Sequence, residues 1–216
     1  MVGEYDFESL YRINVDVSRS ILDWSISKGK QIIKRILLIG SSAEYGIPDK
    51  NPVSEKAHLA PLSFYGLSKL LQSELALMYV RKYSAPVLIG RTFNLKGKGL
   101  SNNLAIGRWE EKIREAKNGG TIYVGNIETW RDYIAIEDAL DAYIKILFYG
   151  EIGEVYNVCS GVPVKMKTLL LSMIKRSGKD LKIKVSQEKK KMHDVTRIVG
   201  NREKLERILN NNSWPK

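Results

Sequence analysis

The stretch from Arg35 to Lys69 constrains the fold more than any other. Ile36 to Ile39 is a short apolar run that ends at Gly40, which predicts a buried strand with Ser41 and Ser42 at its carboxyl end. A polar loop rich in Pro, Asp, Asn and Ser follows. Tyr65 then opens an amphipathic run, with Leu67, Leu70, Leu71, Leu75 and Met78 predicted on one face and Lys69 one helical turn beyond Tyr65. A strand, a loop and a helix in this order imply an open α/β sheet. Such sheets bind ligands at the carboxyl ends of their strands, where the serines fall.

The three side chains have a joint chemical reading. A phenol with an ordinary pKa of about 10 is a poor acid–base catalyst at neutral pH, and an ammonium one turn away is expected to lower that pKa. Lys69 is placed to do so for Tyr65, while Ser41 would hydrogen-bond a substrate oxygen beside the phenol. An isolated Tyr–Lys pair at this spacing is ordinary surface. Here the context differs, because of eleven tyrosines only Tyr65 has a lysine four residues on, and it follows a strand that ends in Ser-Ser.

These residues carry a resemblance. GSSAEYG followed by SFYGLSK resembles the active-site segment of the extended short-chain dehydrogenase/reductases, the NAD-dependent epimerase/dehydratase family acting on nucleotide sugars. The resemblance implies Ser41, Tyr65 and Lys69 as the catalytic set, with Tyr65 and Lys69 also touching the nicotinamide ribose of NAD or NADP. Ser42 would stand at the substrate. Dehydratases of the family carry an acidic residue two positions after the Ser/Thr, where this chain has Ala43, and Glu44 falls one place too late. Reduction or epimerisation is therefore expected rather than dehydration.

The resemblance extends over nearly the whole chain, from about Glu8 to Pro215. Residues 7–29 read as an amphipathic helix with Phe7, Leu10, Tyr11, Val17 and Ile21 as its stripe and Gly29 as its stop. By resemblance this helix carries an Asn-Val pair, here Asn14-Val15, and joins the Tyr65 helix in a four-helix homodimer interface. Ala85 to Ile89 reads as a second buried strand. Gly90 to Asn94 after it resembles an R-x-F-N element whose asparagine contacts the sugar diphosphate, and in the next loop Lys98 would keep a cation near the phosphates.

Residues 103–118 read as a helix and Thr121 to Val124 as a strand. WRDYIAIEDALDAYIKIL resembles the segment in which an arginine, here Arg131, pairs with the diphosphate, a task suited to a planar guanidinium. Asp132 is expected to orient that arginine or cap structure, and Ile134, Ile136, Ala139, Ala142, Tyr143 and Ile146 to be core. GEVYNVCSG leads to a helix at Met166–Arg176, with Asn157 and Cys159 structural, and LKIKVS alternates as a half-buried strand. SSAEYG, R-x-F-N, W-R-D-Y and GEVYNVCSG together most resemble GDP-6-deoxy-mannose reductases, which sit near the GDP-mannose 4,6-dehydratases. The implied reaction is reduction of a 4-keto-6-deoxy GDP-sugar.

The family's fold begins with a strand, a G-x-x-G-x-x-G turn and several βα units that hold the cofactor pyrophosphate. Two βαβ units need on the order of 60 residues. Six residues precede the first predicted helix here. The expected architecture is thus a partial Rossmann-like α/β sheet, with residues 1–95 carrying the Ser/Tyr/Lys site and residues 96–216 forming mainly an interleaved nucleotide-sugar region. The expectation that follows is inactivity alone, with a complementing N-terminal chain or a homodimer covering the strand edge at Ile36–Ile39.

Composition separates the remaining classes. Single Cys159 excludes an internal disulfide and suits a reducing compartment, and no apolar run approaches the roughly 18 residues of a membrane span, so a cytoplasmic protein without a membrane partner is expected. The net charge of +11 fits an anionic ligand or a basic surface. Its lysines are dispersed, and the Glu188–Lys191 run has no interleaved aromatics, which disfavours nucleic acid. His58 and His193 lack partners at ligand spacing, so no metal is expected. A non-catalytic nucleotide-sugar-binding or scaffold protein and an RNA-binding relative are the alternatives from other classes.

Overall fold

The computed structural model describes residues 6–27, 32–97, 99–101, 104–186 and 195–210. In chain order the elements are α1 (Phe7–Tyr11), α2 (Val17–Ser27), β1 (Ile36–Ser41), α3 (Phe64–Tyr83), β2 (Val87–Thr92), β3 (Asn94–Lys96), α4 (Ala105–Glu115), β4 (Thr121–Val124) and β5 (Trp130–Ala135). They continue with α5 (Ile136–Tyr149), β6 (Val155–Val158), β7 (Pro163–Lys165), α6 (Met166–Ser177), β8 (Lys182–Val185), β9 (Arg197–Ile198) and α7 (Glu203–Leu209). A π-helical turn, Arg12–Asp16, joins α1 to α2. Gly29, Lys98, the Glu188–Lys191 run, His193 and Pro215 lie outside the described residues.

The apolar runs at Ile36 and Val87 become parallel neighbours in a three-stranded sheet of order β1-β2-β6. All six residues of β2 are buried. A central parallel strand covered on both faces reads as continuous rather than alternating hydrophobicity, and VLIGRT does so until its polar carboxyl end. On one face Leu22, Leu38, Ala76, Val87 and Ile89 pack beneath α2 and α3. On the other, Leu88, Ala142, Ile146, Tyr156, Val158 and Leu205 pack beneath α5 and α7.

β1 is the open edge of this sheet. Ile36 donates its N–H to Pro86 O across to the β2 side, and successive residues of a strand direct their backbone groups to opposite edges. Leu37, Ile39 and Ser41 therefore face outward. Two side chains meet that edge: Lys69 Nζ donates to Ile39 O at 2.8 Å, and Ser41 N donates to Glu44 Oε1 at 2.7 Å.

The second layer is built from later residues. β5 pairs with β3 and β9 in parallel and with β7 antiparallel, and β4 pairs with β8. Trp109, Ile113, Ile122, Val124, Leu170 and Ile174 form its core between α4 and α6. Lys179 closes the end of α4 by donating to the carbonyls of Ile113, Arg114 and Ala116 at 2.7–2.8 Å, which satisfies acceptors that a helix terminus leaves orphaned.

Two expected stripes are corrected. Along α1 and α2 the buried residues are Leu10, Asn14, Val15, Ser18, Leu22 and Ser25, whereas Tyr11, Val17 and Ile21 are exposed. The π turn shifts the phase of the helix by part of a turn, so a uniform 3.6-residue stripe misassigns its face. On α3 the buried residues are Gly66, Ser68, Gln72, Ser73 and Ala76, and the five residues expected inside are only partly buried or, in Met78, exposed. Small side chains sit where backbone approaches closely, and the leucines flank them. β8 is largely exposed except for half-buried Ile183, and the helix expected over 103–118 is bounded as α4.

Burial of phenols gives an expected alkaline limit. Tyr45 and Tyr133 are pushed up to about 12, chiefly by burial. Their folded pKa lies above the ordinary value near 10, so the folded state keeps these protons longer than the unfolded one. The stability they contribute is intact below about pH 10 and is lost as pH rises towards 12. A spectrophotometric tyrosine titration is expected to show a late step coinciding with loss of the circular-dichroism signal. Full titration of every phenol near pH 10 with the fold retained would contradict it.

Candidate active site

The site forms because β1 and β2 end in register, Ser41 opposite Thr92. Ser41 then caps a 3-10 turn, Ser42–Glu44, with its Oγ accepting from Ala43 N at 3.2 Å. Ser63 caps α3 by accepting from Gly66 N at 3.1 Å. A Cβ on Gly66 would lie 2.6 Å from Ala43 O, so the absence of a side chain there lets the first turn of α3 rest on the turn after β1. Tyr65 is thereby carried to Ser41.

A cleft of roughly 520 Å³ opens at this sheet end, within the usual range for small-ligand sites. Ser41, Ser42, Tyr65, Lys69, Asn94 and Arg131 all line it. The structure thus brings together every site residue expected from sequence except Lys98, which lies outside the described residues. Asn94 donates to Asp132 O at 3.1 Å. Arg131 donates from Nη1 to the carbonyls of Trp130 and Val195, which fixes one arm of its guanidinium while the side chain borders the cleft.

Asp132 does not orient Arg131 through any described bond. It is fully buried and accepts from Ser160 N, Ser160 Oγ, Gly161 N and Gly200 N, tying two loops behind the cleft. Asn157 is structural, as expected, bridging Tyr45 Oη and Val53 O. Burial, with the Asp132 carboxylate nearby, pushes the Cys159 thiol up, so it stays protonated.

The electrostatics of Tyr65 run opposite to expectation. Burial raises its phenol, the Ser41 hydroxyl draws it down, and the Glu44 carboxylate raises it again. Lys69 is not among the causes. Its own ammonium is lowered by burial and partly restored by Glu44. Desolvation outweighs the expected attraction, and Tyr65 remains a neutral phenol at neutral pH.

Three further groups bear on the cleft. Glu44 and Arg91 are a fully buried ion pair with Arg91 Nε 2.9 Å from Glu44 Oε2, and Arg91 also donates to Tyr45 Oη at 3.0 Å. Glu44 in turn holds the Ser41 N–H. Glu44 is fully buried and does not itself line the cleft. Tyr143, expected in the core, is a half-buried wall of the cleft with its hydroxyl 2.7 Å from Thr92 Oγ1. Nothing local in the sequence marks the Glu44–Arg91 pair, since the partners are 47 residues apart.

Comparison with known proteins gives the chain's family. The model of the NAD dependent epimerase/dehydratase family matches residues 4–159. The chain belongs to that family. Among epimerase/dehydratase-family relatives, it is 30% identical over 157 residues to the GDP-6-deoxy-D-mannose reductase of Pseudomonas aeruginosa, covering 71% of this chain and 52% of that one. It is 24% identical over 195 residues to the GDP-6-deoxy-D-talose 4-dehydrogenase of Aggregatibacter actinomycetemcomitans, covering 89% and 63%. The chain therefore spans roughly half to two thirds of the length of these curated relatives. The structure of RMD from Pseudomonas aeruginosa complexed with NADPH superposes with a TM-score of 0.83 at 26% identity, covering 94% of this chain and 68% of that one. The α/β architecture is Rossmann-like, as expected.

Proposed function

We propose that this chain carries the substrate-reducing site of an NAD(P)-dependent reductase of a 4-keto-6-deoxy GDP-sugar. The observation that carries the reading is the convergence of Ser41, Tyr65 and Lys69 with Asn94 and Arg131 around one cleft. Ser41 would orient the ketone, and the neutral Tyr65 would give its proton to the oxygen as the hydroxyl forms. Asn94 and Arg131 would hold the diphosphate, with Lys98 as a further cation. Ser42 would border the sugar. The similarity to a GDP-6-deoxy-D-mannose reductase and to an NADPH-bound structure supports the choice of reaction.

NAD or NADP fits the residues at one end of the cleft. An ammonium has three donors, and Lys69 uses two, on Ile39 O and Gln72 Oε1, leaving one for a ribose hydroxyl beside Tyr65. When bound, the dinucleotide supplies the hydride. On this reading residues 1–95 carry the Ser/Tyr/Lys set and residues 96–216 mainly the nucleotide-sugar region. The exposed face of Tyr11, Ile13, Val17, Ile21 and Trp24 suits a homodimer, and the β1 edge suits a complementing N-terminal strand. No helix among the described residues is long and apolar enough to cross a membrane, and a cytoplasmic location accords with the chemistry.

Calorimetric titration with GDP-mannose tests the anionic half of the site. Micromolar binding is expected, weakened in Arg131→Ala by about 1.5–3 kcal/mol, the worth of hydrogen bonds to a charged group. Unchanged affinity in Arg131→Ala, or no binding by the folded wild type, would remove the nucleotide-sugar reading.

A further inference from the structure

Helix α3 buries an amide where a helix normally buries carbon. Gln72 is 7% exposed, and a polar group so placed costs free energy unless each of its atoms is bonded. Here each is. Gln72 Oε1 accepts from Lys69 Nζ at 3.0 Å, and Gln72 Nε2 donates to Ser18 Oγ at 2.8 Å. Ser18 Oγ donates onward to Asn14 O at 2.7 Å. From the same asparagine, Asn14 Nδ2 donates to Ser68 Oγ at 2.9 Å, and Ser68 Oγ donates to Tyr65 O at 2.8 Å.

The direction of this chain is forced. An ammonium has only donors, so the amide must present its oxygen to Lys69, which turns its NH₂ to Ser18 and commits the Ser18 hydroxyl to Asn14. Turning the Gln72 amide would set its NH₂ against the Lys69 ammonium, two donors face to face in a buried site. Asn14 lies in the π-helical turn, the one place where the α1–α2 helix departs from regular backbone geometry. Both ends of the chain return to the first turns of α3, one at Lys69 and the other at Tyr65.

We propose that Gln72 is a positioning residue that holds the Lys69 ammonium in one orientation at the cleft, anchored through Ser18 to the π turn at Asn14. This rests on the reading of Tyr65 and Lys69 as the reacting pair, and it adds a residue to which that reading gives no part. Gln72 touches no ligand and acts only through Lys69. Around the pair stand Glu44 from the turn after β1, its partner Arg91 from β2, and Tyr143 from α5, while the α1–α2 helix presents the uncharged Asn14 and Ser18.

The test follows Lys69 itself in the purified chain, with lysines carrying carbon-13 at Cε and the Lys69 signal assigned by its disappearance in Lys69→Arg. Gln72→Met removes the acceptor and is expected to move the Lys69 titration to lower pH than in the wild type. Gln72→Glu places an anion there and is expected to move it to higher pH. Opposite shifts are the signature, because a merely structural role would not give them. Wild-type titration of Lys69 in folded variants, or shifts of both in one direction, would overturn the proposal. Should Gln72→Met not fold, Ser18→Ala frees the amide to turn and is expected to shift Lys69 downward, and no shift there overturns the proposal equally. Failure of the reductase reading would appear elsewhere, as ketone reduction unaffected by Tyr65→Phe.

Discussion

Tyr65→Phe is expected to lower the rate of 4-keto sugar reduction by about 10²- to 10⁴-fold, the contribution typical of a positioned general acid. The substitution removes one hydroxyl from a residue that is 45% exposed, so the thermal midpoint should scarcely move. Because burial raises this phenol above its ordinary pKa, it stays protonated through the neutral range. The rate of reduction should accordingly show no Tyr65 inflection between pH 6 and 8 and should fall only above about 10. The assay is loss of NADPH absorbance in the complete enzyme with a 4-keto-6-deoxy GDP-sugar. A variant that retains wild-type turnover would end the assignment of Tyr65 as the acid.

Arg91→Ala is expected to lower stability by about 3–5 kcal/mol, because it strands a buried carboxylate. Glu44 is 0% exposed and has no water to turn to. Arg91 also lies 4.7 Å over the Tyr45 ring and donates to its hydroxyl, so its loss opens a cavity as well as a charge. The double variant Glu44→Gln/Arg91→Met restores bulk and removes both charges, and it should recover much of the loss. Urea unfolding with circular dichroism measures all three. A single variant with the wild-type midpoint would show that the pair carries no such weight.

The parts of the site legible in the sequence are those with a local signature. Ile36–Gly40 announces a strand by its unbroken apolar run, Tyr65 and Lys69 share a helix face by spacing, and Asn94 and Arg131 stand within recognisable segments. Periodicity separates inside from outside but does not distinguish a core residue from the wall of a cleft, so the pattern alone groups Tyr143 with Ala142 and Ile146. It fails again on α3, where backbone approaches closely at Gly66 and small and polar residues lie inside. Glu44–Arg91 and Gln72–Ser18 join residues far apart in sequence, and no local pattern records such a pairing. Asn14 is the instructive case: a polar residue on a helix reads as solvated, yet the π turn buries it.

Lys69 and Glu44 close the carboxyl half of the β1 edge by taking Ile39 O and Ser41 N. Among the described residues Ile39 O and Ser41 N are thus taken, so a strand that adds along β1 meets occupied positions as it runs towards the cleft. Lys69 therefore limits where a strand can pair along this edge, as well as standing one turn from Tyr65. On the proposed reading, the ammonium that serves Tyr65 is the same one that occupies the β1 edge.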